Sequence, residues 1–155
     1  MRTLGKHTIV LATMTFVVTR GIYAQAQTQS AAQTPPFVII VHTSNTLTAV
    51  SQNDLSSIFL KRKVLWTDGT RIAPVDLGKL SPVREQFSKK VHHRSTASVS
   101  IYWQQQIFSG KDTPPPEKAS DADIVAFVRA NPGAVGYVAP GTTLGSGVKV
   151  VAVKD

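Results

Sequence analysis

The sequence predicts a single layered α/β domain, and two patterns predict it. Runs rich in β-branched residues at 37–41, 135–138 and 148–153 have the composition of strands. Between them lie stretches whose apolar residues recur every third or fourth position, the spacing of helices buried on one side. Strands interleaved with helices pack as layers around one core.

The first residues are of a different kind. Arg2 and Lys6 precede an apolar run from Ile9 to Val18, and Ala24-Gln25-Ala26 is a small-x-small triplet of the type cut by signal peptidase. Residues 1–26 read as a cleavable secretory signal peptide with Gln27 as the expected mature start. The apolar run is about half of the roughly 20 residues a membrane-spanning helix needs, and Arg20 interrupts it. The expected location is periplasmic or secreted. Residues 27–36 are small and polar with a Pro-Pro end, a flexible leader, and 37–155 form the domain.

The chain has no cysteine, which excludes disulfides, thiol catalysis and thiolate metal sites. Its formal charge is +8, falling to +5 once Arg2, Lys6 and Arg20 leave with the signal. That excess suits an anionic ligand or an acidic surface. The basic residues are scattered instead of striped with aromatics, so nucleic acid is not expected as a partner.

Taken in order, Phe37-Val38-Ile39-Ile40-Val41 is a continuous apolar run, as in a strand covered on both faces. Ser51 with Asp54 caps a helix near 51–61 whose buried stripe is Leu55, Ile58 and Phe59. Lys61-Arg62-Lys63 suits the negative end of that helix. Asp68-Gly69 is a turn between 64–66 and 72–75, and Pro74 keeps the second run off a fully paired central position. Ser81-Pro82 starts a helix over 81–93, with Val83, Phe87 and Val91 on one face. Val99, Trp103 and Ile107 form the stripe of a helix over 97–109. Pro114-Pro115-Pro116 is a stiff link, and Ser120 with Asp123 caps a helix over 120–131 carrying Ile124, Phe127 and Val128. The expected core includes Ile39, Val41, Leu55, Phe59, Phe87, Trp103, Phe127 and Val135.

Little asks for catalysis. No serine lies in a Gly-x-Ser-x-Gly elbow, and Asp54, Asp68, Asp76, Glu85, Asp121 and Asp123 mostly have cap or turn explanations. His92 and His93 are adjacent, point about 100° apart on a helix and read as a solvated helix end, not a metal pair. No enzyme activity, metal or cofactor is expected. Ser81 and Arg84 have two readings: an ordinary Ser-Pro cap with a surface arginine, or an anion site made by the hydroxyl, the guanidinium and exposed backbone N–H groups.

Ser51-x-x-x-Leu55-x-x-Ile58-Phe59, Trp66-x-Asp68-Gly69, Ser81-x-x-Arg84-x-x-Phe87, Tyr102-Trp103 and 131–138 (Asn-Pro-Gly-Ala-Val-Gly-Tyr-Val) follow in an order that resembles the periplasmic phosphate-binding proteins of ABC transporters. The likeness covers nearly all of 37–153. It implies one lobe of a type II periplasmic binding protein, no catalysis, a small inorganic anion as ligand, and a membrane transporter or periplasmic protein as partner. In that family a segment like Arg-Ser-Asp-Gly-Ser-Gly-Thr-Arg lines the phosphate site. Here Ser81 and Arg84 match its last Ser and final Arg, whereas Leu77, Lys79 and Pro82-Val83 replace the first Arg, the Asp and the Gly-Thr. The resemblance therefore implies Ser81 and Arg84 as ligand contacts for a phosphate-like oxyanion, the alternative being an interaction or sensory module that kept the fold without ligand binding.

Overall fold

In the computed structural model residues 35–155 are described. The expected signal peptide (1–26) and most of the expected leader (27–36) lie outside them. Strands β1 (Val38–His42), β2 (Ala49–Ser51), β3 (Ala73–Pro74), β6 (Ala134–Val138) and β7 (Val148–Lys154) form one sheet in the order β2-β7-β1-β6-β3. β1 runs antiparallel to both of its neighbours, while β2 is parallel to β7 and β3 to β6. One central strand thus opposes four that run the same way. β4 (Asp76–Leu77) and β5 (Glu117–Lys118) make a separate short parallel pair.

The central position of β1 follows from its sequence: Ile39, Ile40 and Val41 are all buried, so both faces of the strand are covered. On one face lies α4 (Asp121–Ala130), whose Ile124 and Val128 press onto Gly136 so closely that a Cβ there would stand 2.7 Å from Ile124 Cγ2. Only glycine lets the helix approach this near. On the other face Tyr137 stacks on Phe87 at 3.9 Å between ring centres, and Phe37 and Phe59 meet Phe87 at 5.3 and 4.7 Å. Aromatic contacts of this kind add to the gain from burial. They bring α1 (Gln52–Phe59) and α2 (Pro82–Phe87) onto the sheet.

Most caps lie where the sequence places them. Ser51, Ser81 and Ser120 each accept a hydrogen bond from the backbone N–H three residues on. Pro74 sits on an edge strand, where its missing N–H costs no ladder bond.

Other expectations are corrected. The helix over 81–93 is α2 followed by a π-helical turn, Ser88–His92, which closes on His93 in the left-handed region. Lys61-Arg62-Lys63 follows α1 instead of ending it: Lys61 has φ 53°, and Lys61 and Lys63 pair with Asp112 and Asp54. Asp68-Gly69 does turn the chain, but the runs on either side meet at one bridge only, Leu65 to Arg71, and Ala73–Pro74 pair with β6 instead. In α3 (Thr96–Phe108), Val99 and Trp103 are buried against Leu60, but Ile107 is half exposed, because this helix packs on a small cluster separate from the main core. Phe127 is only partly buried, at the rim of α4, with Lys118 Nζ 5.2 Å above its ring. No helix among the described residues is long and apolar enough to cross a membrane.

Candidate functional site around Arg84

Ser81 and Arg84 stand at the start of α2, where the sequence places them. The Ser81 hydroxyl accepts the Arg84 backbone N–H at 3.4 Å, with Pro82 as the first helical residue. The side chain of Arg84 contradicts the expectation of a surface arginine: it is 3% exposed. Its helix turns it inward, toward the short β4–β5 pair, and its two Nη atoms find their partners there within the protein. Nη2 meets Asp76 Oδ2 at 2.9 Å, and Nη1 meets Glu117 Oε1 at 2.6 Å and donates to the Leu77 carbonyl at 2.5 Å. Buried charges persist only when paired and hydrogen-bonded in this way.

The two carboxylates are brought together by register. Asp76 pairs with Glu117 across β4 and β5, so one guanidinium bridges the two strands. They differ in setting. Asp76 is buried, and its carboxylate also accepts from the Leu77 N–H at 3.0 Å and from the Tyr137 hydroxyl. Burial pushes the Asp76 carboxyl up, against the opposing pull of Arg84 and the Tyr137 hydrogen bond. The Tyr137 phenol is raised too, first by burial and then by the Asp76 charge. The Glu117 side chain is 36% exposed, and Arg84 is its ion-pair partner.

Beside this cluster is a cleft of about 110 Å³ lined by Lys79, Arg84, Trp103, Gln104 and Glu117 among others. Arg84 Nε, buried, has no hydrogen-bond partner within the protein. Lys79 is exposed, and among the described residues it makes no ion pair.

His92 departs from a solvated helix end. Its Nδ1 lies 3.0 Å from Ser56 Oγ and its ring meets Phe87 edge-on at 5.5 Å. Burial, followed by the positive charges of Arg94, Arg84 and Arg62, lowers its pKa to about 4. His93 is exposed, so the two rings occupy different surroundings. Among the described residues no group of three or more His, Asp or Glu side chains is arranged to hold a metal ion.

The sequence reading missed Asp76 and Glu117. A signal for the first was present: Asp76 is a lone charge between Val75 and Leu77 in an apolar strand, a setting that requires a buried counter-ion. Nothing local marks Glu117, whose pairing depends on a strand partner 41 positions away.

No family model matches the chain, and no curated protein matches its sequence. Solved structures do match its fold. An ABC-type phosphate transport receptor from Vibrio cholerae superposes with a TM-score of 0.60 at 18% identity, over 76% of this chain and 46% of that one. The chain has a phosphate-binding-protein-like fold. PstS from Borrelia burgdorferi superposes with a TM-score of 0.55 at 14% identity, over 77% of this chain and 47% of that one. The chain thus spans about half the length of these two proteins, one lobe of a periplasmic-binding-protein fold. At 18% and 14% identity the likeness is one of fold.

Proposed function

We propose that this chain is an exported interaction or sensory module built on a solute-binding lobe, whose arginine at the start of α2 is occupied by the protein's own carboxylates. The neutralisation of Arg84 by Asp76 and Glu117 carries this reading. A guanidinium flanked by two carboxylates offers an incoming oxyanion no net positive charge, and desolvating a second anion beside Asp76 is costly. Departures from the phosphate-site pattern at Leu77, Lys79, Pro82 and Val83 point the same way. The partner of such a module is a periplasmic protein or a membrane transporter.

The other reading, a small phosphate-like oxyanion bound through Ser81 and Arg84, is favoured by the cleft at this place, which Arg84 and the unpaired Lys79 both line, and by the unpartnered Arg84 Nε.

Thermal melting in a panel of phosphate, sulfate and related anions separates the two. A ligand bound only by the folded state, at about 100 times its dissociation constant, adds roughly 2.7 kcal/mol, several degrees for a domain of this size. The module reading expects a flat response. A rise of several degrees with one anion replaces it by the anion-binding reading. Export is tested by the N-terminus of the protein from its native host, expected near Gln27.

A further inference from the structure

We infer that the outward face of α3, with Leu80 beside it, is a docking surface for an anionic phospholipid bilayer. The inference goes beyond the module reading and stands whichever occupant Arg84 has.

α3 has two faces that carry apolar residues. Val99 and Trp103 pack with Leu60 and are buried. A second set, Ala97, Ile101, Gln104 and Phe108, recurs at i, i+4, i+7 and i+11, which is one side of a helix, and all four are exposed. Ile101 is 55% and Phe108 90% exposed, and Ile107 beside it is 50% exposed. No residue of Thr96–Phe108 carries a charge. The solvent side of a surface helix is normally charged, so a face of Ile, Gln and Phe is not built to meet water alone. Leu80 joins this face from the chain just before α2. Its neighbour Lys79 lines the same cleft as Ser100, Gln104 and Ile107, and Leu80 itself is 99% exposed.

Charge decides the occupant. The acidic side chains at this end of the domain are engaged: Asp112 pairs with Lys61, and Asp76 and Glu117 pair with Arg84. Lys79, next to Leu80, and Lys111, three positions past Phe108, are exposed and make no ion pair among the described residues. Exposed apolar side chains flanked by uncompensated lysines match a bilayer surface: the side chains enter the headgroup boundary and the lysines meet lipid phosphates. A second copy of the chain fits less well. Pairing α3 with itself gathers the uncompensated lysines of both copies at one seam. A 13-residue helix about 20 Å long, with Ile101 and Phe108 along that seam, also supplies little of the roughly 1,200 Å² that a stable protein interface buries.

The experiment is co-sedimentation of the protein, as its native host makes it, with vesicles of phosphatidylcholine alone and of phosphatidylcholine and phosphatidylglycerol in equal parts. The wild type should sediment with the anionic vesicles and not with the neutral ones, and high salt should release it. Leu80→Ala with Phe108→Ala should weaken binding by about tenfold or more. Lys79→Ala with Lys111→Ala should do the same, at roughly fivefold for each lysine. All four positions are exposed, so circular dichroism should not change. Phe108→Trp puts a reporter on the face itself: its added fluorescence should be quenched by brominated lipid in the anionic vesicles, whereas attachment through residues 1–26 would leave it unquenched. A wild type that ignores the anionic vesicles, a double variant of either kind that binds undiminished, or a reporter that is not quenched overturns the inference. So does a dimer in sedimentation velocity that Phe108→Ala dissolves, which gives the face to a second copy.

Discussion

Arg84 carries its charge into the interior, where Asp76 and Glu117 meet it. Its place after a Ser-Pro cap is legible, because capping is a local matter of three or four residues. The direction of its side chain is not, because Asp76 and Glu117 come from two other strands. The consequence is testable. Arg84→Ala strips the buried carboxylate of Asp76 of its counter-ion and should cost about 3 to 5 kcal/mol in stability by denaturant unfolding, the usual penalty for breaking a buried pair. A loss under about 1 kcal/mol would mean that the guanidinium is solvated. Ser81→Ala removes only the cap and should cost about 1 kcal/mol. Arg84→Ala is therefore a probe of the fold before it is a probe of any ligand.

At the scale of elements, periodicity located α1, α3, α4 and the three long strands within one or two residues, because each has its own apolar stripe or β-branched run. It failed where the chain leaves regular geometry. The π-helical turn at Ser88–His92 has no periodic signature, and it swings His92 under the aromatic cluster, against Ser56 and Phe87. Phe87, which stacks on Tyr137 and is 1% exposed, should cost about 3 to 5 kcal/mol when cut to alanine. His92 gives the element a pH dependence. Its folded pKa of about 4 lies below the unfolded value of 6.5, so between these limits the unfolded chain binds the extra proton. Stability is then full above about pH 6.5 and falls as pH drops toward 4, by on the order of 3 kcal/mol for this group. Comparing melting temperatures at pH 7 and pH 4.5 for the wild type and His92→Gln tests it: the variant should show the smaller drop, and equal drops would assign the acid sensitivity to other groups.

The whole molecule was legible as a layered α/β lobe, since strand runs alternating with helical stripes leave few other architectures. The order of strands was not, because nothing in a strand's own sequence names its neighbours. The least expected feature is that the last strand, β7, lies between β1 and β2. It pairs antiparallel with residues 39–42 and parallel with 49–51, so β2 has no other route into the sheet. Val148 and Val151 also belong to the main core. A chain ending at Gly147 would leave one side of β1 unpaired, detach β2 and open the apolar interior beside Ile39 and Val41. Its loss of ladder hydrogen bonds and buried valines is comparable to the 5 to 15 kcal/mol by which domains are stable at all. Such a chain should therefore show no cooperative unfolding transition by circular dichroism, and its amide spectrum should collapse to narrow dispersion. Removing only Asp155, which lies beyond β7, should leave the melting temperature within about 2 °C of the full chain, because an exposed terminal residue carries little of the stability. If the chain ending at Gly147 folds cooperatively, β1 and β6 with α4 form a self-sufficient unit and β7 is an addition to the sheet, not its keystone.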